Sequence, residues 1–221
     1  MSVPVQVILH VMRLLSWNVN HRADVSAIPA SVVPAVAAQE PDVLVCTGYV
    51  RGPQHVEVLG ALRAIGLRDS DVTVPHREGA SCILVAAREP LMGGPVQPPA
   101  ESAPSVQAGF AHVILERSAV HLFVVRVPEV GEMIGADGKP LVWLGEALEP
   151  YRDEPAIVIA DVDGTSGAEL NALEQRGWRL ASPETPLRED HQRQHVAFVS
   201  PVLTVSNAEY SSRAMLLIDV S

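Results

Sequence analysis

Short apolar runs of strand length recur along the whole chain, and their order limits the architecture more than any other feature. They read "RLLSW" (13–17), "DVLVC" (42–46), "DVTV" (71–74), "SCILVAA" (81–87), "AHVILE" (111–116), "VHLFVVRV" (120–127), "AIVIA" (156–160), "HVAFVS" (195–200), "LTVSN" (203–207) and "AMLLIDV" (214–220). Each is rich in Val, Ile or Leu and bounded by turn formers, the pattern of a half-buried or buried strand. Helical patterns separate the early runs. One covers 26–39, with Ile28, Val32, Val33 and Val36 on one face, Pro29 in its first turn and Pro34 as a candidate kink. Another covers 53–65, with Pro53 at its start and Gly66 just past its end. Later strands come in pairs, with a hairpin at 117–119 and further helices predicted over 140–151 and 166–176, the latter capped by Ser166 and closed by Gly177. Residues 89–109 are rich in Pro, Gly and Ser and predict a long surface loop. There is no solenoid repeat, coiled coil or linker, so the chain reads as one α/β domain over 12–221, with 1–11 as an N-terminal extension or an extra strand.

A chain of 221 residues, 48% hydrophobic and 19% charged, buries a proper core and is neither disordered nor fibrous. Its net charge of −10 argues against a sequence-independent grip on a polyanion, which requires Lys and Arg to neutralise phosphates. Among its 16 basic residues Lys139 is the single lysine, a coding bias of a GC-rich bacterial genome. Cys46 and Cys82 lie in apolar strand-like runs and are expected to be buried reduced thiols, without metal spacing. "MSVPVQVILHV" lacks the basic start and cleavage site of a signal peptide and is too short to span a bilayer, and Met12 would itself make a natural start. The cytoplasm is the expected location, with no membrane partner.

Candidate chemistry begins at "AIVIADVDGT" (156–165), where an apolar run ends on Asp161, followed by Asp163 and Gly164. Taken alone, this stretch resembles the nucleophile motif of haloacid-dehalogenase phosphatases, which would make Asp161 the nucleophile and Asp163 the acid/base. That family carries the motif on its first strand, and needs a downstream lysine and an acidic pair for Mg²⁺. No lysine follows Asp163, and the pair Glu189 and Asp190 lies in a charged loop.

A second resemblance spans residues 12 to 220. "RLLSWNVNHR" (13–22), "PDVLVCTGYV" (41–50), "REGASCILVAAREPL" (77–91), "VHLFVVRVPE" (120–129), "PAIVIADVDGT" (155–165), "HVAFVSPVL" (195–203) and "YSSRAMLLIDV" (210–220) stand in the order of the strands of the endonuclease/exonuclease/phosphatase superfamily. The resemblance implies a four-layer α-β-β-α sandwich, two packed mixed β-sheets flanked by helices, with the site at one end.

In that family a Glu and an Asn hold Mg²⁺, an Asp-x-Asn pair orients the attacking water, and two histidines stabilise charge and serve as base. Carried over, Asn18 stands at the metal-site Asn and Asp161 at the family Asp, with Asp163 in place of its Asn. Gly48 replaces the metal-binding Glu, Glu78 the loop Asn, Arg126 the His before Pro, and Gln194 an Asp, while His195 remains. Ser212 and Arg213 replace the closing Asp-His pair. Glu40 and Glu57 are placed too far from a strand-end metal to substitute, and His21, His76 and His195 are candidate bases.

The resemblance therefore implies a degenerate member: non-hydrolytic, and repurposed for binding, regulation or other chemistry. Asp161, Asp163 and His195 are the catalytic remnants. Asn18, Arg126 and Arg213 are candidate ligands for an anionic or phosphorylated small molecule, since arginine grips phosphate with two parallel hydrogen bonds. A protein partner is an open expectation. No cofactor is expected. The alternative is a phosphoesterase or nuclease with displaced ligands, which would hold Mg²⁺ or Mn²⁺ at Asn18 and Asp161. The same arginines could instead fill the old pocket by pairing with Asp161 and Asp163, because a buried carboxylate needs partners.

Overall fold

Alternation along the strands, one side chain up and the next down, sorts the apolar residues into three layers of core. In the computed structural model the described residues are 11–19, 31–75, 77–126, 142–162, 167–183, 194–211 and 215–221. They contain β1 (Met12–Asn18), β2 (Val43–Val50), β3 (Asp69–Val72), β4 (Ser81–Ala87), β5 (Leu91–Gly93), β6 (Phe110–Leu115), β7 (Val120–Arg126), β8 (Ala156–Val162), β9 (Arg179–Leu180), β10 (Gln194–Val199), β11 (Val205–Tyr210) and β12 (Leu216–Val220). The helices are α1 (Val32–Ala37), α2 (His55–Ala64), α3 (Pro104–Ala108), α4 (Val142–Leu148) and α5 (Gly167–Gln175).

Two six-stranded sheets result, in the orders β11-β12-β1-β2-β4-β3 and β5-β6-β7-β8-β10-β9. Both are mixed: β1 runs parallel to β2 and β7 parallel to β8, while the flanking pairs are antiparallel. One set of side chains (Leu14, Val43, Val45, Ile83, Val124, Ile157, Ile159, Ala197) fills the space between the sheets. The opposite set on the first sheet, Leu15, Leu44, Cys46 and Leu84, packs under α1 and α2 through Val36 and Leu62. On the second sheet Phe123, Val158 and Phe198 pack under α4 and α5 through Leu144, Leu148 and Leu173. This is the expected α-β-β-α sandwich.

Most expected elements lie where periodicity puts them, with "SCILVAA" reproduced residue for residue as β4. Three differ. Among the described residues the first helix is only Val32–Ala37, although Val32 and Val36 do form its buried face. The stretch 89–109 is not one long loop. Leu91–Gly93 pairs with Leu115–Val113 as an edge strand, and Pro104 opens a short helix at a position where its missing N–H costs nothing. The predicted helix over 140–151 ends at Leu148 and continues as a 3-10 turn, Glu149–Tyr151. The thiols of Cys46 and Cys82 are free and buried, and burial pushes them up to about 12 and about 11. Among the described residues no helix is long and apolar enough to cross a membrane.

Candidate functional site

At one end of the sandwich the inward-facing columns change from apolar to polar. Ser16 and Asn18 continue the column of Met12 and Leu14 on β1, and Thr47 continues that of Val43 and Val45 on β2. Arg126 follows Leu122 and Val124 on β7, Asp161 follows Ile157 and Ile159 on β8, and His195 precedes Ala197 and Val199 on β10. Strand register then aligns them. Asn18 is level with Thr47, and Asp161 lies level with Arg126 on one side and His195 on the other. Ser16, Thr47, Asp161 and His195 are all buried, and Asp161 is 0% exposed.

The two sheets meet through these side chains. Thr47 Oγ1 donates to Asp161 Oδ2 at 2.7 Å. Asn18 Nδ2 donates to the same carboxylate at 3.3 Å and 3.2 Å. Arg126 Nε lies 3.9 Å from Oδ2, an ion-pair distance. His195 is engaged at both nitrogens, with Nε2 2.9 Å from Thr47 Oγ1 and Nδ1 2.5 Å from Ser16 Oγ. Because Thr47 has one hydroxyl proton and gives it to Asp161, it accepts from His195 Nε2–H. Nδ1 of the neutral ring then accepts from the Ser16 hydroxyl. The outcome is a directed chain from Ser16 through His195 and Thr47 to Asp161. Tyr210, on β11 of the first sheet, adds a further tie by donating to the His195 carbonyl at 2.6 Å.

A bulge shapes this arrangement. Cys46 pairs with Leu84 but Tyr49 pairs with Cys82, so Thr47 and Gly48 together oppose Ile83. Gly48 takes φ +64°, a left-handed conformation that suits glycine. The extra residue sends Tyr49 to the outer cluster with Cys82, away from the face that plain alternation would assign it.

Of the site residues expected from sequence, Asn18, Arg126, Asp161 and His195 come together. Asp163 and Arg213 lie outside the described residues, as do Ser212, His21, His76, Glu189 and Asp190. Glu40 and Glu57 are exposed on a turn and on α2, and Glu78 is exposed in the turn before β4. Sequence reasoning passed over Ser16, Thr47 and Tyr210. A usable signal was present for the first two, a small hydroxyl residue on the inward parity of an otherwise apolar strand.

No family model and no curated protein matches the sequence. Solved structures do. An endonuclease/exonuclease/phosphatase family protein from Bacteroides thetaiotaomicron is 14% identical with a TM-score of 0.56, covering 96% of this chain and 97% of that one. ANGEL2, a 2',3'-cyclic phosphatase solved with adenosine-2',3'-vanadate, is 9% identical with a TM-score of 0.63, covering 95% of each chain. A humanized D. rerio TDP2 is 15% identical with a TM-score of 0.53, covering 96% of this chain and 99% of that one. At this level of identity the likeness establishes the fold, that of the endonuclease/exonuclease/phosphatase proteins.

Proposed function

We propose that this chain is a non-hydrolytic protein of the endonuclease/exonuclease/phosphatase fold, in which the site end of the sandwich binds an anionic ligand and carries no metal-dependent cleavage. One observation carries the reading: the carboxylate and the imidazole that would do the chemistry are consumed by side chains of the opposite sheet. Asp161 accepts from Thr47 and Asn18, and His195 is hydrogen-bonded at both ring nitrogens.

Among the described residues the donor set does not suit Mg²⁺ or Mn²⁺. Hard cations take several carboxylate or carbonyl oxygens. Asn18 turns its amide nitrogen, a donor, toward Asp161, and Gly48 offers no side chain where the family resemblance calls for Glu. Among the described residues no group of three His, Cys, Asp or Glu side chains could hold a metal. A carboxylate fully out of water costs several kcal/mol unless it is paired, so Thr47, Asn18 and Arg126 replace the charge compensation that a cation would give. Arg126, whose side chain is 17% exposed, is the cation through which an anion would be held.

The test is a phosphodiesterase assay with bis(p-nitrophenyl) phosphate in millimolar Mg²⁺ or Mn²⁺, alongside calorimetric titration of each metal and of inorganic phosphate. The reading expects no turnover, no metal heat, and phosphate binding that Arg126→Ala weakens. Turnover abolished by Asp161→Ala would overturn it in favour of a phosphoesterase with displaced ligands. The adjacency of Asn18 and Asp161 is the observation that favours that second reading.

A further inference from the structure

On the outer face of the second sheet, away from the polar column, two histidines form a directional pair. His112 on β6 and His121 on β7 are diagonal neighbours, since His112 is level with Phe123 and Ile114 with His121. His112 is 4% exposed. Its ring stacks on Phe123 at 4.1 Å between centroids and meets the edge of Tyr151 at 5.4 Å. Gly94 presses on the other side, where a Cβ would fall 2.3 Å from the imidazole.

The hydrogen bonds assign the protons. The backbone N–H of Val96 donates to His112 Nδ1 at 3.2 Å, so that nitrogen is bare and the ring proton sits on Nε2. Nε2 lies 3.0 Å from His121 Nδ1, which must therefore accept. A neutral imidazole has one donor and one acceptor, so the direction of one bond dictates the direction of the other.

We propose that His121 and His112 form an acid-operated latch on segment 94–99: protonation of His121 at Nδ1 reverses its bond to His112, moves the His112 ring proton to Nδ1, and expels the Val96 N–H. His121 gains one proton from solvent. His112 loses a proton at Nε2 and takes one at Nδ1, so its own charge does not change. Two N–H groups then face each other at Val96, and the segment lifts. The segment walls a cavity of about 410 Å³ that reaches Asp71, Thr73, Pro104 and Gln107, so the latch controls its width.

The electrostatics agree with this order of events. Burial, aided by His121, pushes His112 down to about 4, which keeps its ring neutral while His121 titrates. Burial also lowers His121, and the Glu154 carboxylate opposes that lowering. Among the described residues the titratable groups facing the pair are Tyr151 and Glu154. Residues 91–99 bring none, and Arg126 lies at the far end of β7 on the inner face. The Gly94 N–H donates to the His112 backbone carbonyl at 2.7 Å, a bond indifferent to the state of the ring.

The test uses the full chain and two NMR readouts across a pH titration: long-range ¹⁵N correlation for the imidazole tautomers, and amide exchange at Val96 and Gly94, corrected for intrinsic rates. The expected result is a switch of His112 from the Nε2–H to the Nδ1–H tautomer as His121 titrates, with Val96 exchange rising at least tenfold and Gly94 steady. His121→Gln, which keeps an acceptor but does not titrate, removes the pH dependence at Val96 above the range near 4 where His112 itself takes a proton, and His121→Phe does the same. The proposal is overturned if His112 keeps its tautomer while His121 charges. It is equally overturned if Val96 and Gly94 change together, or if Val96 in His121→Gln still responds above the range near 4 where His112 itself takes a proton.

Discussion

Ser16 Oγ and His195 Nδ1, carried by strands of opposite sheets and 179 residues apart in sequence, lie 2.5 Å from each other in the buried interior of the sandwich. Both side chains are less than 4% exposed, so the bond exists without competition from water. Ser16→Ala removes the hydroxyl and leaves a buried ring nitrogen without that partner. The expected loss is about 1–3 kcal/mol in urea unfolding at neutral pH, the usual cost of a stranded buried polar group. A change below about 0.5 kcal/mol would mean that the bond adds nothing to the fold.

Thr47 is the junction of the network, giving its proton to Asp161 and receiving one from His195. Thr47→Val keeps shape and volume but takes one hydrogen-bond donor from the Asp161 carboxylate and the acceptor from His195 Nε2–H. We expect roughly 2–4 kcal/mol of destabilisation, more than for Ser16→Ala because a charged group is involved. Thr47→Ser, which restores the hydroxyl, should recover most of it. Equal losses for Val and Ser would assign the effect to packing instead.

Placing a glutamate at position 48, where the family resemblance calls for one, is expected to give no hydrolytic activity. Gly48 sits at φ +64° within the bulge, where a side chain is strained. Gly48→Glu, alone or with Arg213→His, should lower stability by about 1–2 kcal/mol and yield no phosphodiesterase turnover in Mg²⁺. Thermal unfolding and the bis(p-nitrophenyl) phosphate assay check the two halves. Metal-dependent turnover in the double variant would show that these two side chains suffice for hydrolysis on this fold.

His112 makes stability depend on pH. Its value in the fold is about 4 against 6.5 for an ordinary histidine, so between these values the unfolded chain binds the extra proton. Stability from this group is therefore complete above pH 6.5 and is lost as pH falls toward 4. Integrated over that window the loss is roughly 2–3 kcal/mol. Urea unfolding at intervals from pH 7.5 to pH 4 measures it, in wild type and in His112→Phe, whose profile should be flatter over the same range. Identical slopes would refute the assignment to His112.

The strands were legible in the sequence because an apolar run bounded by turn formers is a local property of the chain. Their inward faces were not, since β2 and β8 are apolar and buried on both sides, and only the packed sheets place Val43, Val45, Ile157 and Ile159 between them. The pattern of apolar runs and helices pointed to one α/β domain, and the two sheets with their flanking helices were anticipated only through the family resemblance. The edge strand Leu91–Gly93 was not legible, since its residues favour a loop and only pairing with β6 makes it a strand. The bulge at Thr47 and Gly48 was hidden for a related reason: it is a mismatch between β2 and β4, and neither strand records it alone.

What the tertiary structure decided is the partnership between sheets. Nothing within "RLLSWN" or "DVLVCT" shows that Ser16 and Thr47 will meet the imidazole of His195, or that Tyr210 will reach its carbonyl. Sequence period sets the face a side chain points from. The offset at which two sheets stack, decided by the packing of the whole apolar core between them, sets what it points to. Here that offset brings hydroxyls of the first sheet to Asp161 and His195 of the second, so both are held by hydrogen bonds that only the packed sandwich could form.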